Sequence, residues 1–420
     1  MKKIREGYKI TEFGEIPEEW NIGSIDELTT FIKSGLSRNL KDENVGIPCI
    51  RSNNIVNGRI NYNDLKYWFL KDDKGANIED YILNDGDVLV NFINSMAQIG
   101  KTCIYRSNGR DAIYTTNIFR VNFNKDKILN EYFYYFSQTD RYKKEIELIT
   151  KPAVNQASFT TVDFKKIKLA IPIIKEQERI VSILSTVDEQ IDNVDALIEK
   201  NKELKKGLMQ TLLTKGIGHT KFKKTEIGEI PEEWEVKQLG DIANYINGKA
   251  FKPSEWGTEG LPIVRIQNLN GANEYNYYSG IIDDKFIINN GQLLFAWSGS
   301  KGTSFGPFIW NSGKAVLNQH IFKVDLNGFV NSIYGYYALK QVTQIIEESA
   351  HGSAGLVHVT KGTLEKFKIG IPKVEEQIKI ASILSEIDGK IGEHENKKQK
   401  LGELKRGLMQ QLLTGKIRVI

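Results

Sequence analysis

The pattern of apolar residues along the chain predicts two long helices. From Ile180 onward, apolar residues recur at alternating steps of four and three, the spacing of a helix that packs against a second helix along one seam. The seam residues are Ile180, Leu184, Val187 and Ile191, and the same register returns at Ile380, Leu384, Ile387 and Ile391. Each helix is expected to begin after Pro172 or Pro372 and to end near Thr214 or Thr414. A helix of about 40 residues is roughly 60 Å long, too long for one globular core.

Polar residues interrupt both seams, and they have two possible roles. These residues are Asn201, Lys205, His394, Lys398 and Lys405. They either fix the register of the helix pair at some cost in stability or mark where the pair opens to another chain.

Outside the seams, the pattern changes to short runs typical of strands. GDVLVNFI (86–93), AIYTTNIFRVNF (112–123) and GQLLFAW (291–297) are rich in β-formers and are bounded by Gly and Asn turns. Helical periodicity returns at 130–147 and 331–349. The predicted fold class is α/β. The predicted segments are an α/β domain over 1–170, a long helix over 171–215, a second α/β domain over 216–370 and a second long helix over 371–420.

The chain is an internal duplication. TEFGEIPEEW at 11–20 returns as TEIGEIPEEW at 225–234, and ELKKGLMQTLLT at 203–214 returns as ELKRGLMQQLLT at 403–414. The sequence between these copied segments has diverged. Copied segments with divergent sequence between them are expected if the copied segments bind common partners while each divergent region recognises something different.

The duplication also predicts how the parts are arranged. If the two seams pair under a pseudo-two-fold relation, the long helices are antiparallel and separate the two domains. The box at 225–234 follows the first helix, so its copy at 11–20 should dock against the C-terminal end of the second helix, near Leu412. There Ile16, Pro17 and Trp20 should be buried as Ile230, Pro231 and Trp234 are.

Composition adds limits. With 420 residues, 40% apolar content and a net charge of +4, the chain can bury more than one core and is only mildly basic. No apolar run has the length of a membrane span and no signal peptide is evident, so a cytoplasmic location is expected. Cys49 and Cys103 are the only cysteines, too few for a disulfide framework or a cysteine zinc site.

The loops of both domains carry side-chain types that read base edges in DNA. Arginine pairs with guanine, and asparagine or glutamine with adenine, through two hydrogen bonds. The candidates are Arg51, Asn53, Asn54, Asn94, Ser95, Gln98 and Lys101 in the first domain, and Arg265, Gln267, Asn268, Ser298, Ser300 and Lys301 in the second. Any single one of them is more commonly a solvated loop residue.

Motifs of catalysis are missing from the sequence. There is no Pro-Pro dipeptide of an amino-methyltransferase box and no G-x-G-x-x-G after a strand, and IGKT at 99–102 lacks the first glycine of a phosphate-binding loop. The five histidines show no metal-ligand spacing. Chemistry is therefore expected to come from partners.

The pattern shared by 171–191 and 371–391, IP...EQ..I..IL...D..I, stands ahead of the copied LMQ-LLT segment in each half. Together with the EIPEEW box and the duplication, it resembles the specificity subunit of type I restriction-modification systems over nearly the whole chain from Thr11 onward.

The resemblance implies that each domain is a target-recognition domain for one half of a bipartite site in double-stranded DNA. It implies that the helices set the spacing and dock two modification (methyltransferase) subunits, and that restriction (translocase/endonuclease) subunits join through the complex. It implies no cofactor in this chain, with S-adenosylmethionine, ATP and Mg²⁺ held by the partner subunits. Because family members differ most in the domain interiors, the resemblance does not identify base-reading residues.

The residues also leave three alternatives to this function. They are an enzyme with an unrecognised active site, a purely structural coiled-coil adaptor, and the specificity chain of a related restriction system. The absence of catalytic motifs argues against the enzyme. Two divergent domains with Arg, Asn and Gln in their loops argue against a purely structural role.

Overall fold

The structure, a computed structural model, describes residues 4–154, 156–349 and 355–419. It forms two compact units. The first unit comprises the described residues up to Val194 together with those from Lys397 onward, and the second comprises the described residues of Asp195–Asn396. Each unit thus contains one α/β domain, the first half of one long helix and the second half of the other, whereas the sequence suggested four consecutive segments.

The elements of the first α/β domain are short strands with four small helices, followed by the first long helix. They are β1 (Tyr8–Thr11), β2 (Gly14–Pro17), β3 (Asn21–Ser24), α1 (Ile25–Leu28), β4 (Thr29–Ser34), β5 (Ile47–Ile50), β6 (Ile55–Val56), β7 (Arg59–Ile60), β8 (Lys66–Trp68), β9 (Val88–Asn91), β10 (Ile93–Asn94), β11 (Thr102–Ile104), β12 (Ile113–Tyr114), β13 (Ile118–Phe123), α2 (Asn130–Phe136), α3 (Asp140–Ile149), β14 (Lys151–Pro152), β15 (Ala157–Ser158), α4 (Thr161–Lys165), β16 (Lys168–Ile171) and α5 (Ile174–Lys215).

The second domain repeats this order. Its elements are β17 (Phe222–Thr225), β18 (Gly228–Pro231), β19 (Glu235–Gln238), α6 (Leu239–Ile242), β20 (Ala243–Asn247), β21 (Leu261–Val264), α7 (Ile266–Leu269), β22 (Asn276–Tyr278), β23 (Ile287–Ile288), β24 (Gln292–Ala296), β25 (Ser298–Ser300), β26 (Gly306–Trp310), β27 (Ala315–Leu317), β28 (Ile321–Leu326), α8 (Ser332–Ser349), β29 (Leu356–His358), α9 (Lys361–Glu365), β30 (Lys368–Ile371) and α10 (Val374–Leu412).

Two sheets form the centre of each domain. In the first domain, an antiparallel sheet has the strand order β11-β9-β13-β4, and a second sheet has the order β12-β5-β8 with β12 parallel to β5. The second domain has the corresponding sheets β20-β28-β24-β26 and β22-β21-β27-β23, with β27 parallel to β21. The predicted α/β class is confirmed.

Two predicted elements are divided in the structure. The stretch 112–123 is not continuous, because Thr115–Asn117 form a turn that carries the chain from one sheet of the first domain to the other. The helical stretch 130–147 is broken before α3, where the Thr139 hydroxyl accepts a hydrogen bond from the Tyr142 backbone N–H and caps the new helix. By contrast, the predicted 331–349 helix is continuous as α8.

The long helices pair antiparallel within each unit, as predicted. In the first unit, Ile180 and Leu184 of α5 share a core with Met409 and Leu412 of α10. The two helices run in opposite directions, because Asp188, which follows Leu184 on α5, binds Lys405, which precedes Met409 on α10. In the second unit, Ile380 and Leu384 share a core with Met209 and Leu212.

Polar seam residues form an equivalent ion pair in each unit. Lys405 Nζ lies 2.8 Å from Asp188 Oδ1 in the first unit, and Lys205 binds Asp388 in the second. A domain tyrosine joins each pair, since Tyr135 Oη donates to Asp188 at 3.0 Å and Tyr337 Oη donates to Asp388 at 2.7 Å. These contacts favour a register-fixing role for Lys205 and Lys405, because each lysine has its partner inside its own unit.

A glutamate in the first turn of each long helix, completely buried at Glu176 and 17% exposed at Glu376, binds the tryptophan of the EIPEEW box. Trp20 is fully buried and its Nε1 donates to Glu176 Oε2 at 2.9 Å, while Trp234 Nε1 donates to Glu376 Oε2 at 3.0 Å. In the first unit Arg418 also binds this glutamate, with Nε 2.8 Å from Glu176 Oε1. We call the set Trp20, Glu176 and Arg418 the first clasp.

The second clasp has the same architecture with a histidine in place of the arginine. It consists of Trp234, Glu376 and His219, with His219 Nε2 2.9 Å from Glu376 Oε1. The Ile217 backbone N–H donates to the same carboxylate oxygen at 2.9 Å. The guanidinium of one clasp is thus replaced by an imidazole in the other.

The docking of the N-terminal box beside the end of the second long helix is confirmed. Ile16 and Trp20 lie in one core with Met409, Leu412 and Leu413. The Tyr8 hydroxyl donates to the Gly415 carbonyl at 3.0 Å. A Cβ on Gly415, whose φ is +68°, would lie 2.4 Å from Pro17 Cδ, so the close approach of the tail to the box requires glycine.

The residue after each of these glutamates, Glu176 and Glu376, ties the long helix to its domain. Gln177 accepts a hydrogen bond from the Leu129 N–H, at the start of α2, and donates to the Pro172 and Lys127 carbonyls. Gln377 makes the equivalent bonds with the Asn331 N–H before α8 and with the Pro372 and Phe329 carbonyls. Both glutamines are completely buried.

The first clasp generates a stability prediction. Arg418→Ala leaves Glu176, whose side chain is completely buried, without its cation, and we expect a loss of about 2–3 kcal/mol in the free energy of unfolding. Urea denaturation of the full chain measures this. Arg406→Ala, which removes the same charge from an exposed position on α10, is the matched control and should change the free energy by less than about 0.5 kcal/mol. Equal effects of the two substitutions would show that the clasp does not stabilise the fold.

Candidate nucleic-acid interface

A polar cleft opens on the first α/β domain where three loop segments meet. The segments are 36–40 after β4, 51–53 after β5, and the turn at 115–117. The cleft has a volume of about 410 Å³. Its polar and charged lining residues are Ser37, Arg38, Asn39, Arg51, Ser52, Asn53, Lys66, Thr115, Thr116 and Asn117.

Local backbone bonds bring these segments together. The Leu36 N–H donates to the Tyr114 carbonyl at 2.8 Å, and the Thr115 N–H donates to the Ile50 carbonyl at 3.0 Å. Because β5 and β12 run parallel, their carboxyl ends lie at the same edge of the sheet. Gly35 permits the contact, since a Cβ there would lie 2.1 Å from the Tyr114 carbonyl oxygen.

The basic residues of the cleft have carboxylate partners. Arg38 binds Asp72 through two hydrogen bonds of 2.7 Å, Arg51 binds Asp64 at 2.8 Å, and Lys66 binds Asp42 at 2.9 Å. The Arg38 guanidinium holds the pKa of Asp72 well below its usual range, with help from the Ala76 N–H and the Trp68 indole. The cleft therefore offers oriented donors with little excess positive charge.

The second domain builds the same framework. The Lys249 N–H donates to the Leu317 carbonyl at 2.8 Å, and the Asn318 N–H donates to the Val264 carbonyl at 3.0 Å. A Cβ on Gly248 would lie 2.1 Å from the Asn318 carbonyl oxygen, as close as the contact at Gly35. By these bonds, Asn318 is the counterpart of Thr115.

Arginine occupies the corresponding position in both domains. Arg51 and Arg265 each follow the strand that pairs in parallel, and the Nε of each is buried without a protein hydrogen-bond partner. Arg51 is held by Asp64, whereas the Arg265 guanidinium lies 5.1 Å from the centre of the Trp256 ring. Each side chain is thus oriented, and the bonds from Arg51 Nη2 to Asp64 leave Arg51 Nη1 for another acceptor.

The predicted base-reading residues fall into three groups. Arg51 and Asn53 line the cleft, and Arg265 and exposed Gln267 hold the corresponding positions in the second domain. A second group lies elsewhere, on or after the small strands β10 and β25. It contains Asn94, Ser95, Gln98 and Lys101 in the first domain and Ser298, Ser300 and Lys301 in the second.

Asn54 and Asn268, the third group, have structural roles. Asn54 Oδ1 accepts from the Arg51 N–H at 2.9 Å, and its Nδ2 donates to the Asn61 and Asp64 carbonyls. Asn268 makes the equivalent bonds to Arg265 N and to the Ala272 and Glu274 carbonyls. Both are buried and their amides are occupied by backbone groups, so they fix the loop that carries the arginine and do not face a base edge.

Several cleft residues were not among the candidates that the sequence predicted. Ser37, Arg38 and Asn39 follow a glycine that ends a strand, and this Gly-containing turn was the available signal. Thr116 and Asn117 gave no signal, because they lie inside a run of strand-forming residues.

Neither a metal cluster nor a membrane span occurs within the described ranges. Excluding His351 and the other residues outside those ranges, no group of three or more His, Cys, Asp or Glu side chains is placed to hold a metal ion. Across the same ranges, no helix combines the length and apolar character that a membrane crossing requires.

Known proteins share this duplicated architecture. The protein-family model of the type I restriction modification DNA specificity domain matches this chain twice, at residues 17–205 and 231–403. The chain is similar to the putative type I restriction enzyme MjaX specificity subunit of Methanocaldococcus jannaschii, with 34% identity over 99% of this chain and 97% of that protein. The MjaVIII specificity subunit of the same organism is 27% identical over 100% and 99%.

A solved structure supports the fold. The crystal structure of the type I restriction-modification S subunit from M. genitalium superposes with a TM-score of 0.60 at 15% sequence identity, covering 98% of this chain and 97% of that one. At this identity the likeness concerns the architecture alone.

The Arg38–Asp72 pair predicts a pH-dependent effect on stability. Because the folded pKa of Asp72 lies below its unfolded value of about 3.9, ionised Asp72 stabilises the fold above that value, and the contribution disappears as the pH falls through the folded pKa. Asp72→Asn should therefore lower stability by a constant amount between about pH 5 and 8, and the difference from wild type should shrink below about pH 4. Thermal unfolding across this range measures it. Asp73→Asn, at an exposed neighbour, is the control, and a wild-type advantage that grows on acidification would contradict the assignment.

Proposed function

Since the chain belongs to the type I restriction-modification DNA specificity family, we propose that it selects a bipartite double-stranded DNA site, one half for each α/β domain. The single observation that carries this is the repeated loop framework beside the parallel strand pair, which places an oriented arginine at the same position of two otherwise divergent domains. Arginine is the side chain that most commonly contacts guanine O6 and N7, and Arg51 offers Nη1 for such a contact while its Nη2 is bound to Asp64. The frame of each domain is the same, so differences in the cleft side chains set the two half-site sequences.

The two long helices hold the recognition domains at a defined spacing. Each helix contributes one part to each unit, and seam contacts join the two helices within each unit. The ion pairs of Lys205 and Lys405 oppose a shift of register, because a shift would leave a partly buried charge without its partner.

Catalysis is assigned to partner subunits. The sequence lacks methyltransferase and phosphate-loop motifs, which supports a recognition role without chemistry for this chain. S-adenosylmethionine, ATP and Mg²⁺ would then be bound by two modification subunits and by restriction subunits that join the complex. Leu197, Leu204 and Leu404 are about half exposed on the long helices and offer apolar surface for docking.

The proposal predicts that each cleft arginine affects one half-site. Arg51→Ala should relax base preference at one position of one half-site, and Arg265→Ala at one position of the other, each by about 1–3 kcal/mol of discrimination. Selection from random DNA by the chain with its modification subunits measures both half-sites together. Arg106→Ala, at an exposed residue that binds Asp85 and Glu131, is the control and should leave the selected sequence unchanged. Loss of base preference in both half-sites from one substitution would refute the assignment of one half-site to each domain.

The spacing role makes a separate prediction. Inserting one heptad in each long helix, after Val194 and after Asn396, adds roughly 10 Å while keeping the seam in phase. The preferred gap between half-sites should grow by about three base pairs, at about 3.4 Å each, with both half-site sequences unchanged. The same seven residues inserted after exposed Asn108 should change nothing. An unchanged gap in the helix variant would rule out the helices as the determinant of spacing.

A further inference from the structure

The second domain contains an oriented glutamine that the candidate residues did not include. Gln319 follows Asn318 in the turn before β28, and its Nε2 lies 3.0 Å from His320 Nε2. With the amide placed as in the structure, Nε2 donates and the imidazole nitrogen accepts, whereas the other tautomer of His320 would reverse the roles. The side chain of Gln319 is therefore held by its neighbour.

Trp297 supports both residues. Its indole Nε1 donates to the Gln319 carbonyl at 3.1 Å, and its backbone N–H donates to the His320 carbonyl at 3.3 Å. The His320 ring lies 5.1 Å from the Trp297 ring, and His358 packs 5.0 Å away from the same indole. Backbone and rings together fix the turn.

This turn corresponds to the one that lines the cleft of the first domain. Asn318 matches Thr115 through its bond to the parallel strand, so Gln319 matches Thr116 and His320 matches Asn117, both of which line the cleft. The bond from the Phe92 N–H to the Asn117 carbonyl corresponds to that from Trp297 to His320. Gln319 thus belongs to the same edge as Arg265.

The bond to His320 leaves Gln319 with a defined set of free atoms. One amide hydrogen is used, so Oε1 and the second hydrogen on Nε2 remain available. An acceptor and a donor side by side on one amide are what a bidentate contact with adenine N6 and N7 requires. The first domain has Thr116 at this place, which cannot make that contact.

We propose that Gln319 reads an adenine in the half-site bound by the second domain and that His320 is its positioning residue. This rests on the proposed function, since it assigns one base contact within that site. The bond to His320 orients the glutamine before DNA arrives, which lowers the cost of ordering its side chain on an adenine.

The test uses the full chain with its modification subunits and DNA in which only the second half-site is randomised. Gln319→Ala should reduce the preference for adenine at one position by about tenfold or more. Gln319→Glu, of nearly the same shape, should move the preference at that position toward cytosine, because a carboxylate accepts from cytosine N4. Melting curves of the variants check that each remains folded.

Two substitutions at His320 test positioning. His320→Phe keeps a ring on Trp297 but removes the acceptor, so adenine preference should fall. His320→Gln, whose Oε1 reaches as far as the imidazole Nε2, should restore most of it. Arg106→Ala, at an exposed residue of the first domain outside the cleft, is the control and should leave the second half-site unaltered.

The outcomes separate this inference from the function on which it rests. If the wild-type complex selects no bipartite site, the proposed function fails and this assignment with it. If the wild type selects a bipartite site but Gln319→Ala and Gln319→Glu leave the second half-site unchanged, the assignment alone is overturned. Equal loss with His320→Phe and His320→Gln would overturn the positioning role.

Discussion

The burial of Glu176 in the first turn of α5, matched by the partly buried Glu376 in the first turn of α10, is the constraint on which the rest of the structure depends. A carboxylate removed from water is stable only when its oxygens are bonded and its charge is compensated. Glu176 meets this demand with Trp20 and Arg418, which come from opposite ends of the chain. The requirement of one side chain therefore brings the N-terminal box, the start of α5 and the C-terminal tail to one place.

The adjacent glutamine extends this constraint to the recognition domain. Gln177 and Gln377 satisfy backbone groups at the start of a domain helix and at the end of the strand that leads into the long helix. Tyr135 and Tyr337 then anchor the same domain helices to Asp188 and Asp388, and burial raises the pKa of both phenols, so that they stay protonated donors. A domain and its portion of the helix pair thus share one core, and the cleft rests on a rigid base.

The sequence predicted the frame better than the site, for physical reasons. Heptad spacing is local, so the helix beginning at Ile174 was expected after Pro172, and the docking of Trp20 followed from the duplication. Polar residues gave no such guidance. Asn54 and Arg51 are both polar residues of the same loop, and the sequence does not distinguish their roles. In the structure, Asn54 is buried and fixes the loop, whereas Arg51 lines the cleft. Gln319 became a candidate only when its bond to His320 and its match to Thr116 were known.

The carboxylate partners of the cleft cations have a consequence for how such a protein searches a genome. Arg38, Arg51 and Lys66 are already neutralised by Asp72, Asp64 and Asp42, so a passing phosphate must displace an existing partner to be held. Contact with arbitrary sequence gains little from that exchange, and the dwell time on it stays short. A guanine edge, which accepts hydrogen bonds without carrying charge, can be added to the oriented N–H groups instead. On the proposed function, such a cleft favours rapid rejection of the wrong sites, which vastly outnumber the right one.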